Sequence, residues 1–333
     1  MTICKSQKLR ISVIIPAYNA AHFIADAVES ALAQTRRPDE IVVVDDGSTD
    51  DTVRVVARYA SQGVRCISQQ NRGPGAARNR GIRETSGELI AFLDADDIWL
   101  PTKTEVQEAY LAAHPTVALV SCDRWTWKVE KGRRSIERFG PPRGGNARRE
   151  VMVRNIVGNP SQVMVRREAV LSAGCFDTTM RWAEEWDLWT RIAARADIGF
   201  VHQPLCVYRW HSGGLAHENM WRRLAGQQAV AFRAIGAFQP FWRRPLLLLR
   251  AWSMVEMVRA TYAVDFNMPR HVQIRHALQV LVYPFGETQE KVRVAIRALL
   301  GLERYNALID ATPLRKLRLR GAQQVPEERS VMV

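Results

Sequence analysis

Along its first 125 residues the chain alternates between β-branched runs and stretches of helical spacing, which predicts a β/α fold on a mainly parallel sheet. Arg10 to Ile15 reads as a buried strand ended by Pro16. Ile24, Val28, Ala31 and Leu32 then recur at helical intervals, and Pro38 closes the connection. Glu40 to Val44 is a second buried strand, stopped by Asp45-Asp46-Gly47, and Ser48-Thr49-Asp50-Asp51 has the form of a capping box for the next helix. Val64 to Ser68, Glu88 to Leu93 and Val117 to Cys122 read as further strands, with a helix over Pro74 to Thr85. Residues 126–160 hold Gly132, Pro141-Pro142 and Gly144-Gly145 among scattered arginines and read as a mobile loop region. Order returns from Val163 to His211, including a Trp-rich helix from about Arg181 to Ala194. The organisation expected is two halves of one α/β domain, 1–125 and 126–219, followed by a mostly helical basic region, 220–333.

Composition narrows the classes. With 333 residues, 47% hydrophobic and 24% charged, the chain can bury a core, which excludes a disordered tail protein, a collagen-like fibre or a coiled-coil rod. Five single cysteines without CxxC spacing suggest neither a disulfide framework nor a zinc site, and are read as reduced thiols of a cytoplasmic protein. No apolar stretch reaches the roughly 18 residues of a transmembrane span, and the run Ile11 to Ile15, broken by Pro16 and Asn19, is not read as a signal peptide. Of the net charge of +13, +10 falls after Met220. Arginines there interleave with apolar stretches such as Pro245 to Leu249 and Gln279 to Tyr283. Two readings follow: a helical subdomain with solvated arginines, or a basic surface resting on the anionic inner face of the plasma membrane. Nucleic acid is not an expected partner, because the charge lies away from the acidic strand ends and no binding module is recognised.

The candidate chemistry sits at the strand ends. Tyr18-Asn19, Asp45-Asp46, Asn71-Arg72 and Asp94-Ala95-Asp96-Asp97 each follow a strand, and in an open α/β sheet such ends converge on the ligand crevice. Asp94 and Asp96, two residues apart on an extended chain, would face the same side and need a cation. Carboxylate oxygens suit Mg²⁺ or Mn²⁺, whose shell is completed by water and substrate phosphates. One carboxylate of the Asp45-Asp46 pair, Asp46 by preference, is a candidate acceptor for a nucleotide base or ribose hydroxyls. Asn71-Arg72-Gly73-Pro74-Gly75 is neither GxGxxG nor a P-loop, but Arg72, Arg78 and Arg80 are cationic candidates for a diphosphate. On the Trp-rich helix, Glu185 shares a face with Leu188, Trp189 and Ile192 and is expected to look inward as a desolvated general base. Glu184 is weighed as a capping or salt-bridged surface group, and Asp187 can pair with Arg191.

Taken together, Ile11 to Asn19, Val43 to Asp50, Asn71 to Asn79 and Phe92 to Asp97 resemble the motifs of family 2 inverting glycosyltransferases of the GT-A fold, in the family's order. Ala173 to Asp177 and Trp182 to Arg191 resemble its G-x-F-D turn and E-D-W-D-L-W-x-R helix. The resemblance implies transfer of a single sugar from a nucleotide-diphosphate sugar to an acceptor hydroxyl in surface polysaccharide or glycoconjugate synthesis. The acceptor glycan is expected to be lipid-linked. It also implies that Pro16, Ala17, Tyr18 and Asp46 hold base and ribose, with Arg72 nearby. Asp94, Ala95 and Asp96 would meet the sugar nucleotide, with Asp94 and Asp96 on the metal. Glu185 stands where the family has its catalytic Asp. Tyr208-Arg209-Trp210-His211 resembles a Y-R-x-H element, so His211 is expected near the diphosphate or metal. The rivals are a nucleotidyltransferase, for which no phosphate-cradling glycine loop is present, and a non-enzymatic membrane- or nucleic-acid-binding protein.

Overall fold

The computed structural model describes residues 9–128, 133–140, 145–211, 220–265, 269–282 and 296. In chain order its elements are β1 (Ile11–Ala17), α1 (Ile24–Leu32), β2 (Glu40–Asp45), α2 (Thr52–Ala57), β3 (Val64–Ser68), α3 (Pro74–Glu84), β4 (Leu89–Phe92), β5 (Ile98–Trp99), α4 (Lys103–Ala113) and β6 (Val117–Lys128). There follow β7 (Arg133–Glu137), α5 (Ala147–Val153), β8 (Met164–Arg166), α6 (Arg167–Ser172), α7 (Glu184–Ala193), β9 (Asp197–Trp210), α8 (Met220–Phe238), α9 (Arg244–Asp265) and α10 (Arg270–Val282). The chain divides into two compact units, one reaching Gly213 except for 134–136 and 152–154, the other comprising those segments and the residues from Gly214 onward.

In the first unit the sheet order is β3-β2-β1-β4-β8-β6-β9-β5. The pairs β1–β2, β1–β4, β2–β3 and β6–β9 are parallel, whereas β8 runs antiparallel to β4 and β6, and β5 to β9. Ile11, Val13 and Ile15 of β1 bury one sheet face against Ile24, Ala27, Val28 and Ala31 of α1. On the other face Val42 and Val44 meet Ala77 of α3. A Cβ on Gly81 would come within 2.3 Å of Ile14 Cγ2, so glycine there lets α3 lie close on the sheet. Arg78, one turn earlier, shares that buried face.

Several expected details are corrected. Pro16 does not end β1: its nitrogen faces the side on which β4 has already stopped at Phe92, so no ladder hydrogen bond is lost and β1 runs on to Ala17 opposite Asp45. The capping box before α2 is not formed, because Ser48 Oγ accepts from Asn19 N and Asp50 from Ala21 N and Thr52 N. Residues 126–160 are more regular than expected, with β6 extending to Lys128 and α5 following β7, although 129–132 and 141–144 lie outside the described residues. The Trp-rich helix begins only at Glu184, since Ala183 takes a left-handed conformation with φ 61°. The helical expectation beyond Met220 holds over α8, α9 and α10, and the remainder lies outside the described residues apart from Ile296.

Candidate active site at the strand ends

The loops after β1 and β2 are stitched together by side chains. Asn19, at φ 47°, accepts from Thr49 N through its Oδ1 at 2.8 Å, and Thr52 Oγ1 accepts from Ala20 N at 2.8 Å. Of the three residues expected at the end of β1, Pro16 and Ala17 are buried in the sheet, while Tyr18 is 52% exposed. Asp45 Oδ1 caps Ser48 N at 3.1 Å. Asp46 is buried, and its carboxylate accepts from Gln69 Nε2 at 2.7 Å, Arg72 N at 3.0 Å and Gly73 N at 2.7 Å. Asp46 thus anchors the β3–α3 loop, and Arg72 on that loop is exposed.

The acidic run after β4 is a turn rather than an extended strand: Asp97 N donates to the Asp94 carbonyl at 3.0 Å. Asp94 and Asp96 thus lie on a turn and not on the extended chain that a period of two assumes, and their carboxylates take different partners. Asp94 Oδ1 meets Arg78 Nη2 at 2.7 Å. Asp96 Oδ2 lies 3.2 Å from His211 Nε2. Asp97 turns inward, accepting from Asn159 Nδ2 at 2.9 Å, Arg209 N at 3.2 Å and Ser161 Oγ. Burial, with the nearby Asp96 and Asp94 carboxylates, holds Asp97 well above the usual carboxylate range. Burial also raises Asp94, abetted by Asp96 and opposed by Arg78.

Arg209 holds this turn from below. Its Nε donates to the Asp96 carbonyl, Nη1 pairs with Asp26, and Nη2 donates to the Phe23 carbonyl at 3.3 Å. The Phe23 ring lies 4.9 Å from the Arg209 guanidinium and 4.5 Å, centroid to centroid, from His211, fixing the imidazole beside Asp96.

Arg78 joins α3 to the second half of the unit. It is buried, with Nη1 3.0 Å from Glu184 Oε1 and Nη2 on Asp94. Burial works against its charge, but Asp94 and Glu184 outweigh that and hold the guanidinium protonated more firmly than usual. The neighbouring Asn79 exchanges hydrogen bonds with Phe176 at 2.8 and 2.9 Å, tying α3 to the turn before α7. Of the two helix acids, Glu184 is the more deeply buried, locked on Arg78 and not a surface group, while Glu185 is part-buried with some access to solvent. The wheel argument fails because α7 is buried nearly all round, Trp186, Asp187 and Thr190 being as hidden as Leu188, Trp189 and Ile192. Glu185 is nonetheless pushed up to about 8, by burial first and then by the adjacent Glu184 carboxylate. The Asp187–Arg191 pair forms at 2.8 Å, and Arg191 also donates to the Cys175 carbonyl, holding the Gly174-Cys175 turn at φ 86° and 58°.

The donor set suits a divalent ion. Among the described residues no three Asp, Glu, His or Cys side chains close around one point. Asp96 and His211 do converge, and Asp94 Oδ2 has no hydrogen-bond partner among the described residues while its Oδ1 is on Arg78. One or two protein ligands completed by water and phosphate is how Mg²⁺ is usually held, and Mn²⁺ accepts carboxylate similarly. Asn159 and Ser161 have no signal in the sequence beyond bordering a stretch read as loop, and Arg209 is marked there only as the Arg of the Y-R-x-H element, without a role of its own.

A mainly parallel sheet thus carries acidic turns at its carboxyl edge, backed by a buried Arg–carboxylate bridge. Residues 12–172 match the family model described as Glycosyl transferase family 2. Over this segment the chain resembles that family, and its fold is the GT-A fold. It is 36% identical over 215 residues, 60% of each protein, to the succinoglycan biosynthesis protein ExoU of Rhizobium meliloti. The chain spans about a third of the length of the uncharacterized Rickettsia glycosyltransferases that it also matches, at 30% and 31% identity. Among solved structures, TarS 1-349 of S. aureus in complex with UDP-GlcNAc superposes with a TM-score of 0.62 at 17% identity, over 90% of this chain and 88% of that one. The mannosyltransferase PcManGT of Pyrobaculum calidifontis, in complex with GDP-Man and Mn²⁺, gives 0.58 at 22% identity, over 93% and 83%.

Arg78→Met is expected to leave the Asp94 and Glu184 carboxylates without their cation and to destabilise the domain by about 3–5 kcal/mol, read as the shift of a denaturant midpoint. Arg78→Lys, which keeps the charge but loses the two-pronged fork, should fall between. An unchanged midpoint in Arg78→Met would mean that the bridge carries no structural weight.

Proposed function

We propose that the chain is a metal-dependent inverting glycosyltransferase that moves one sugar from a nucleotide-diphosphate sugar to an acceptor hydroxyl. Its acceptor is a lipid-linked glycan of surface polysaccharide or glycoconjugate synthesis, met by the enzyme as a cytoplasmic protein at the inner face of the membrane. The observation that carries the reading is the convergence of Asp96 with His211 and of Asp94 with Glu184 on Arg78, at the carboxyl edge of the sheet, with Glu185 alongside. The matched ExoU, named for succinoglycan biosynthesis, supports the pathway class. The PcManGT complex with Mn²⁺ and GDP-Man supports both the donor class and the metal.

Asp96 and His211, with Asp94, would hold Mg²⁺ or Mn²⁺. Such an ion supplies charge neutralisation for a departing diphosphate. The exposed Tyr18 is suited to stacking on a base at the end of β1, while Pro16 and Ala17 shape the floor through their backbone. Asp46 serves the nucleotide by holding the Arg72 and Gly73 amides in place, and Arg72 extends toward the phosphates. The Ala95 backbone lies between the two metal-side carboxylates. Glu185 takes the proton of the acceptor hydroxyl, that oxygen bonds the anomeric carbon, and the bond to the diphosphate oxygen breaks on the opposite face with its electron pair. Inversion follows from a single displacement. A base raised by its surroundings toward the working pH is well matched to this step.

Asp96→Asn should abolish transfer without loss of helical content, since an amide lacks the carboxylate's charge at a divalent ion. Chelation by EDTA should do the same reversibly, and full activity in EDTA would rule out the metal.

Glu185→Gln should lower turnover about 10²- to 10⁴-fold with donor affinity little changed. The base works deprotonated, so wild-type turnover should rise with pH. Because Glu185 keeps partial access to water, the midpoint of the rise should lie above the ordinary carboxylate value and at or below about 8. Glu184→Gln should weaken stability through Arg78 yet retain that rise. A pH limb that survived in Glu185→Gln and vanished in Glu184→Gln would reassign the base.

A further inference from the structure

Within the second compact unit, α8 ends at Phe238 and the chain turns into α9 at Arg244. The turn is fixed by its own hydrogen bonds: Arg243 N to the Pro240 carbonyl at 3.0 Å, Leu247 N to the Arg243 carbonyl at 3.2 Å, and Arg244 Nε to the Gln239 carbonyl at 2.9 Å. On this rigid frame Phe241 is 73% exposed, Trp242 67% and Leu246 60%. The two rings pack edge to face with centroids 5.2 Å apart, so they form one apolar knob. A single exposed apolar residue is ordinary, but three large ones within six positions on an ordered turn mark a surface that something covers.

Charge selects the occupant. Between Asn219 and Val255 the chain has six arginines and no Asp or Glu, and Arg243 and Arg244 directly follow Trp242. A second copy of this chain would bring like charges together, whereas an anionic lipid surface complements them. Tryptophan, apolar in body and polar at its N–H, favours the boundary between acyl chains and headgroups. No described helix is long and apolar enough to cross a membrane.

We infer that the α8–α9 turn is a membrane-docking element, with Phe241, Trp242 and Leu246 entering the interface of an anionic bilayer while Arg243 and Arg244 engage lipid phosphates. It deepens the reading of a lipid-linked acceptor by naming the element that brings the enzyme to it, although lipid binding itself does not depend on the transfer chemistry. Apolar insertion adds a component that salt does not screen, and the arginines add one that salt does.

The test is vesicle co-sedimentation of the full chain, with parallel assay of nucleoside diphosphate release. Vesicles containing phosphatidylglycerol should bind it, and phosphatidylcholine vesicles should bind it far less. Phe241→Ala/Trp242→Ala should weaken partitioning about tenfold or more, including the part that persists in high salt. Arg243→Gln/Arg244→Gln should instead remove the preference for anionic lipid and the salt dependence. As the four side chains lie outside the catalytic unit, both variants should keep the parent's rate of diphosphate release in detergent-free buffer. Tryptophan quenching by brominated lipid, lost in Trp242→Phe, provides a second readout. Partitioning of the aromatic variant equal to the parent's would overturn the inference. So would parent protein that ignores anionic vesicles, or an aromatic variant whose only change is loss of concentration-dependent self-association, which would give the knob to a second copy. Vesicle binding without any diphosphate release would instead leave the docking element standing and remove the proposed reaction.

Discussion

Arg78 reaches Asp94 at the tip of β4 with one nitrogen and Glu184 at the start of α7 with another, in a setting where none of the three is well hydrated. Removing such charges from water costs several kcal/mol each, and attraction within the bridge offsets this only when the geometry is good and all partners are present. The bridge is therefore poor evidence of net stability but a strong constraint on geometry. The acidic turn, the second turn of α3 and the start of α7 must arrive together. Gly81 enables this by letting α3 lie against Ile14, and Asn79 reinforces it through Phe176.

The same logic recurs around the crevice. Asp46 spends its carboxylate on loop amides, Asp97 on Asn159, Ser161 and the Arg209 amide, and Arg209 on the Asp96 carbonyl. Each of these groups finds partners on another part of the chain, although Arg78 Nε and Asn159 Oδ1 are left without one among the described residues. Satisfied networks of this kind specify one arrangement more sharply than apolar packing does. What they leave open to solvent is a smaller set: Tyr18, Arg72, Glu185 and the Asp96–His211 pair.

The fold and the convergence of strand ends were legible in the sequence because β-branched runs and helical spacing are local signals, and β1 to β4 carry them without interruption. The division of labour among the acids was not. A two-residue period places Asp94 and Asp96 on an extended strand, whereas the backbone hydrogen bond from Asp97 to Asp94 puts them on a turn and gives one to Arg78, the other to His211. Glu184 and Glu185 were sorted by a helical wheel, which presumes one wet face, and α7 has almost none. That Asp46 also accepts from the Gln69 side chain and the Arg72 and Gly73 amides left no trace in the sequence. The partners of Asp46 and Glu184 are distant along the chain, Gly73 and Arg78 among them, and such contacts leave no period to read.

The central claim is that these strand ends cleave the bond between a sugar and a nucleoside diphosphate. The most direct measurement incubates the purified full chain with a panel of UDP-, GDP- and dTDP-sugars and Mn²⁺, and follows the nucleotide product and the anomeric configuration of any glycoside formed. The account predicts release of the nucleoside diphosphate from one donor class, with inverted configuration at the transferred sugar. Release of pyrophosphate from a nucleoside triphosphate and a sugar phosphate, or retention of configuration, would contradict it.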